Sequence, residues 1–175
     1  MPSDRSVSER TRSGHITLRP FTATDAEDCF RIRTEAFVRE FYPHQDPAVI
    51  AAGINAYMPS DYVRMGETMI AYVAADEGNI IGFFVVKLLD AATAELMLLY
   101  VKGGYKGEGI GSLLLNYMEN LLRDRYPEIH RVELDTIVPG YNGKFYEKMG
   151  FFRAGESELQ YPDRIVKAVR MAKNL

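Results

Sequence analysis

Three alternate glycines, Gly107, Gly109 and Gly111, fall between a β-rich run that ends at Val101 and an amphipathic run that begins near Ile110. No other feature constrains the fold as much, because a strand must turn sharply there into a helix. Glycine allows positive φ and close backbone approach, and the first helical turn offers unpaired amides at the positive end of the helix dipole. Tyr105-Lys106-Gly107-Glu108-Gly109-Ile110-Gly111-Ser112 is therefore a candidate diphosphate cradle, with Lys106 as a point charge at its mouth. The helix, from about Gly109 to Arg125, carries Ile110, Leu113, Leu114, Tyr117, Leu121 and Leu122 on one broad face suited to packing on a sheet.

Other elements arrange themselves around this turn. His15 to Arg19 alternates as a half-buried strand ended by Pro20. Thr24 with Glu27 reads as a capping box for a helix carrying Cys29, Ile32, Ala36 and Phe37. Asp46-Pro47 opens a second helix running to about Met58. Thr68 to Ala75 and Ile80 to Leu89 form a hairpin through Asp76-Glu77-Gly78-Asn79, and Ala94 to Val101 makes a third long strand. Beyond Pro127 come a strand from Arg131 to Ile137, a short helix to Met149, and strands at about Phe151 to Gln160 and Ile165 to Ala172. The order β-α-α-β-β-β-α-β-α-β-β describes an α/β (α+β) domain with a mixed central sheet of about seven strands flanked by about four helices. Residues 1–14 read as a polar, flexible leader and 15–175 as a single domain, since no linker divides a chain of 175 residues.

Composition excludes several classes. A net charge of −3 provides no basic field for nucleic acid. The first residues are no signal peptide, and no run of apolar residues is long enough to span a bilayer, so the expected location is the cytoplasm, away from membranes. The lone Cys29 forms no intramolecular disulfide and reads as a small core hydrophobe. His15, His44 and His130 match no metal motif, so no metal site is expected; His44 lies between two expected helices beside Tyr42, Pro43 and Gln45.

Spacing also separates the phosphate-binding loops. A Walker loop needs lysine before its Ser or Thr, whereas Ser112 follows Ile110-Gly111. The dinucleotide fingerprint needs its third glycine where Ser112 stands and a βαβ setting that the upstream hairpin argues against. A glycine-rich connection without a ligand is the bland alternative, although three glycines weaken a helix start.

Lys106-Gly107-Glu108-Gly109-Ile110-Gly111 after a long strand resembles the Gln/Arg-x-x-Gly-x-Gly/Ala signature of the GNAT superfamily, the acyl-CoA-dependent N-acyltransferases, with lysine in the Gln/Arg place. A second block, Phe145-Tyr146-Glu147-Lys148-Met149-Gly150-Phe151, is similar to the Phe-Tyr-x-Lys-x-Gly-Phe pattern that ends the family's fourth helix. Leu98-Leu99-Tyr100-Val101 looks like its fourth strand and Arg170 to Lys173 like its last. Pro139 and Asn142 depart from the family's usual Asn and Ala.

The resemblance implies acetyl-CoA as cosubstrate, its diphosphate held by Lys106 to Ser112 and its pantetheine arm along Leu99, Tyr100 and Val101, with Asn142 and Phe145 alongside. An amide near Leu99 or Tyr100 would face the thioester oxygen. Tyr146 would donate a proton to the departing thiolate, and Glu95 would act as base, directly or through water; Glu35, Glu40 and Asp61 are alternative carboxylates. Tyr42, Tyr57, Tyr62 and Met65 with Asp61 and Glu67 suggest an aromatic acceptor pocket with some negative charge, suited to a cationic amine. The implied reaction is direct acetyl transfer to a primary amine, on a small molecule or a peptide, by a chain for which a homodimer is left open. The alternative is a catalytically silent acyl-CoA sensor.

Overall fold

The computed structural model describes residues 7–11, 14–140 and 143–175. In chain order the elements are β1 (Val7–Thr11), β2 (Gly14–Pro20), α1 (Ala26–Phe41), α2 (Pro47–Asn55), α3 (Pro59–Thr68), β3 (Ile70–Asp76), β4 (Asn79–Leu88), β5 (Thr93–Val101), α4 (Ile110–Arg125), β6 (Arg131–Ile137), α5 (Gly143–Lys148), β7 (Phe152–Tyr161) and β8 (Arg164–Asn174). The strands form one sheet in the order β1-β2-β3-β4-β5-β6-β8-β7. Every pairing is antiparallel except β5 with β6, which α4 connects.

Helices cover both faces. Ile110, Leu114, Leu115, Met118 and Leu122 of α4 pack with Leu18, Ile81, Phe84, Leu96 and Leu134. On the opposite face Cys29 and Ile32 of α1 and Tyr62 and Met65 of α3 pack on Val73, Phe83, Val85 and Leu98. This accounts for the continuous burial of Ile80 to Val85, since a central strand covered on both sides has no solvent face. Among the described residues no helix is long and apolar enough to cross a membrane.

Three expectations are corrected. Five residues of the expected flexible leader pair as edge strand β1 against β2; Val7-Ser8-Glu9-Arg10-Thr11 carries too few apolar residues to announce a strand. The capping box lies at Thr22 and Asp25 rather than Thr24 and Glu27, because Arg19 holds the Asp25 carboxylate bidentately (2.7 and 2.8 Å) while the Thr22 N–H donates to it (2.8 Å). Burial opposes ionisation of Asp25, but these donors outweigh it and hold the carboxyl below its ordinary range. Finally, the helix expected to reach Met58 ends at Asn55, and a separate helix, α3, opens with Pro59 at its first position, where Asp61 accepts the Met58 N–H (2.8 Å).

Candidate active site

The parallel contact between β5 and β6 lasts only three residue pairs, Thr93 with Arg131, Ala94 with Val132 and Glu95 with Glu133. Just beyond, β5 bulges: Val86 faces Leu96 and Val85 faces Leu98, leaving Met97 unmatched. The strands diverge, and β6 continues alone against β8. Lys102 N–H donates to the Ile81 carbonyl (2.8 Å), so bonded pairs alternate down the β4–β5 ladder at Tyr100 and Leu98. By that alternation the N–H and C=O of Leu99 and Val101 point to the side β6 has vacated.

One cleft opens from this edge toward α4, lined by Leu99, Tyr100, Val101, Lys106, Gly107, Gly109, Ile110, Gly111, Ser112, Phe145 and Tyr146, with Arg39 and Glu40 across it. Gly107 and Gly109 have φ of 90° and 84°, and a Cβ on either would stand in open space. Gly109 is the left-handed N-cap of α4, whose first-turn amides at Ile110, Gly111 and Ser112 precede the earliest intrahelical bond, from Leu113 to Gly109. Gly111 has a different reason to be glycine: a Cβ there would lie 3.3 Å from the Phe145 ring. Of the expected donor-side residues, these form one cleft. Glu108 is exposed and outside its lining, and Asn142, like Tyr141 beside it, lies outside the described residues. Lys106 is at the mouth, where it bonds Glu40 (3.1 Å).

The second cavity lies on the other side of the same strand, between α1, β5, β6 and β7, and includes Arg33, Phe37, Glu40, Tyr57, Glu95, Asp135, Tyr146 and Tyr161. Glu40, Leu99, Tyr100 and Tyr146 line both spaces, so the two meet at the splay. Tyr146 packs edge-on to Phe145 (5.1 Å) and Phe151 (5.7 Å). Burial, with smaller effects from Tyr100 and Glu40, pushes its phenol well above the ordinary value, so it stays protonated. Glu95 is half-buried, and burial first, then the charge of Asp135, raises its carboxyl above the usual range. Asp135 is itself fixed by Arg170 (3.0 and 3.1 Å) and Ser157 (2.7 Å).

The other acceptor-side expectations divide. Glu40 reaches the cavity. Glu35 is exposed on a separate face of α1 with Glu27 and Arg31. Asp61 serves the start of α3 and pairs with Arg64. Tyr57 lines the cavity, whereas Tyr62 and Met65 are core, Tyr42 is 63% exposed, and Glu67 and His44 face solvent. The expected negatively charged aromatic pocket thus contains a cation, Arg33, that the sequence reading overlooked. Its signal was present: Arg33 falls on the same helical stripe as Cys29, Phe37 and Glu40, a charge where an apolar residue would be usual. Among the described residues no group of side chains is arranged to hold a metal ion, and Cys29 is fully buried, its thiol pushed up by burial.

Comparison with known proteins agrees with this architecture. The model of the acetyltransferase (GNAT) family matches residues 26–151. A mycothiol acetyltransferase from Beutenbergia cavernae is 31% identical over 147 residues, covering 79% of this chain and 46% of that protein, so the chain spans less than half of that relative's length. Among solved structures, the PaiA N-acetyltransferase from Thermoplasma acidophilum in complex with coenzyme A superposes with a TM-score of 0.74 at 20% identity, over 91% of this chain and 99% of that one. A GCN5-related N-acetyltransferase from Rhodopseudomonas palustris superposes with a TM-score of 0.78 at 18% identity, over 98% and 99%.

Proposed function

The chain belongs to the acetyltransferase (GNAT) family, and on that premise we propose that it moves an acetyl group directly from acetyl-CoA to a primary amine. The observation that carries the proposal is the meeting of the two clefts at Leu99, Tyr100, Glu40 and Tyr146. One side suits a diphosphate and the other holds Glu95, which has no ion pair among the described residues, and the phenol of Tyr146, with an open strand edge between them.

In this reading the α4 amides and Lys106 receive the CoA diphosphate, and the open edge of β5 accepts the amide-rich pantetheine arm as an added strand. The Leu99 N–H polarises the thioester oxygen and stabilises the charge that develops there. An alkylamine costs about 4–5 kcal/mol to present neutral at pH 7, which calls for a base. Glu95 takes the amine's proton, directly or through water, as the N–C bond forms; its raised affinity for protons suits that task. The C–S bond then breaks and Tyr146 returns a proton to the thiolate. Cys29 lines neither cleft, which supports transfer without an acyl-enzyme. The test is release of free thiol from acetyl-CoA across a panel of amines, with the amide product identified by mass. Thiol release with a matching amide is expected; absence of release with every amine would overturn the proposal.

A further inference from the structure

Arg33 is 2% exposed, yet it lines the acceptor-side cavity. Its Nη2 donates to the Gly53 carbonyl (2.6 Å), Nη1 has only a 3.5 Å contact to the Ile54 carbonyl, and Nε is buried with no partner. Among the described residues no carboxylate pairs with it, although Glu40 and Glu95 line the same cavity. Aromatic faces surround the guanidinium instead: Tyr57 at 5.1 Å, Phe37 at 5.3 Å and Tyr100 at 5.9 Å. Burial keeps the phenols of Tyr57, Tyr62, Tyr100 and Tyr161 protonated, so they add no negative charge.

A guanidinium does not lose its charge in a protein, and burying it without a counter-ion is strongly unfavourable. Two carbonyls at the end of α2 and the negative end of that helix dipole offset part of this cost. They leave Nε without a partner and the charge without an anion, with the neutral phenols of Tyr62 and Tyr100 as its other polar neighbours. The chain treats its other partly buried cations differently: Lys173 meets both oxygens of Glu119 (2.7 and 2.8 Å), and Arg19 meets both oxygens of Asp25. Among the described residues no side chain supplies the anion that Arg33 lacks, and Arg33 stands where the wall borders a cavity.

We propose that Arg33 binds an anionic group of the acceptor, so that the amine acetylated here carries a carboxylate at its far end. The inference rests on the transferase reading above and names its substrate class. Arg33, Phe37 and Glu40 share one face of α1 at intervals of four and three residues, and the helix rises about 10 Å between Arg33 and Glu40. A carboxylate at Arg33 leaves the amine to extend past Glu95, in the same cavity, toward the junction at Glu40 and Tyr146, which favours a chain of several bonds between the two groups. The amine nitrogen bonds to the acetyl carbon, the C–S bond breaks, and the amine's proton is balanced by protonation of the thiolate, while the carboxylate stays bound and unreacted. This adds a carboxylate to the cationic amine suggested by the sequence, giving a zwitterionic acceptor.

The experiment compares ω-amino acids of increasing length with their matched primary amides, each assayed for thiol release with the wild-type chain, Arg33→Lys and Arg33→Met. Hydrogen bonds to charged groups contribute about 1.5–3 kcal/mol, so the carboxylates should exceed the amides about 10-fold or more in kcat/KM, mostly through KM. Arg33→Lys, which retains the charge without the planar fork, should narrow that ratio, and Arg33→Met should abolish it. Turnover with equal preference for acids and amides in the wild type overturns the inference and leaves the transferase reading intact, whether or not the variants fold. If no amine releases thiol, the transferase reading falls separately, and calorimetric titration of valerate against pentanamide decides the anion site: tighter valerate binding that weakens in Arg33→Lys supports it, and equal binding overturns it.

Discussion

Gly109→Ala and Gly78→Ala form a matched pair that separates backbone strain from ligand binding. Both glycines have φ of 84°, and at both an added Cβ would meet nothing within 4 Å. A left-handed conformation costs a non-glycine residue about 1–2 kcal/mol. Removing glycine returns about 0.4–1 kcal/mol through the unfolded chain. The net loss is therefore about 1 kcal/mol in each variant, a fall in Tm of about 2–4 °C for a chain of this size. The open spaces differ. Beside Gly78 it is solvent at the β3–β4 turn; beside Gly109 it is the cleft at the start of α4. In the proposed cradle a methyl group there would keep a phosphate from the amides of the first turn, and losing a single charge-assisted bond of about 1.5–3 kcal/mol should raise the Kd for CoA about 10- to 150-fold. Differential scanning fluorimetry without ligand should show two similar losses, and calorimetry with CoA should show weakened binding in Gly109→Ala alone. Equal CoA affinity in the two variants would refute the cradle.

Tyr146→Phe should bind CoA with unchanged affinity while kcat falls about 10²- to 10⁴-fold, as loss of a general acid does, measured by stopped-time thiol release. If Glu95 is the base proposed above, it acts deprotonated, and in Glu95→Gln the acid limb of the kcat/KM profile should disappear; burial followed by Asp135 raises its carboxyl, so wild-type activity should fall as pH drops through a window above the ordinary glutamate range. The same shift has the opposite sign for stability. The folded chain binds this proton more readily than the unfolded one, so Glu95 weakens the fold as pH rises through that window, and Glu95→Gln should melt higher than wild type at pH 7 with the gap closing in acid. Lys173→Met leaves Glu119, 4% exposed, with only a 3.4 Å contact from Arg123, and also removes the donor to the Met149 carbonyl (2.7 Å). Urea unfolding should show a loss of about 3–5 kcal/mol, as for one partner removed from a buried pair.

Periodicity located the elements that have a strong reason of their own to repeat. The β4 run is covered by helices on both faces and so reads as unbroken hydrophobicity, while α4 has one apolar face and reads at helical spacing. The elements that escaped are those whose stability comes from neighbours. β1 is a short, mostly polar edge strand that exists by pairing with β2, and α3 is a ten-residue helix in which Tyr62 and Met65 pack beneath α1. The shift of the first cap from Thr24 to Thr22 has the same origin, since Arg19 six residues away decides which acid is held.

The same distinction divides the two halves of the site. The donor cleft is built largely from backbone: an open strand edge, amides at a helix start and glycines whose φ values only glycine adopts easily, all within Leu99 to Ser112. Local sequence encodes local backbone, so that cleft was legible as a contiguous motif. The acceptor cavity is assembled from side chains on α1, the α2–α3 connection, β5, β6, α5 and β7, with sequence separations that no motif spans. Its composition was legible only in fragments: of the acids named for it, Asp61 is engaged at the start of α3 and Glu67 faces solvent, while the carboxylates that line it are Glu40, Glu95 and Asp135, with Arg33 also on its wall. Arg33 is the fully buried cation on that wall, and its charge acts at short range in a low dielectric while exposed charges such as Glu67 are screened. By this argument charge reversal of the exposed Glu67 should leave acceptor preference unchanged, whereas neutralising Arg33 should alter it.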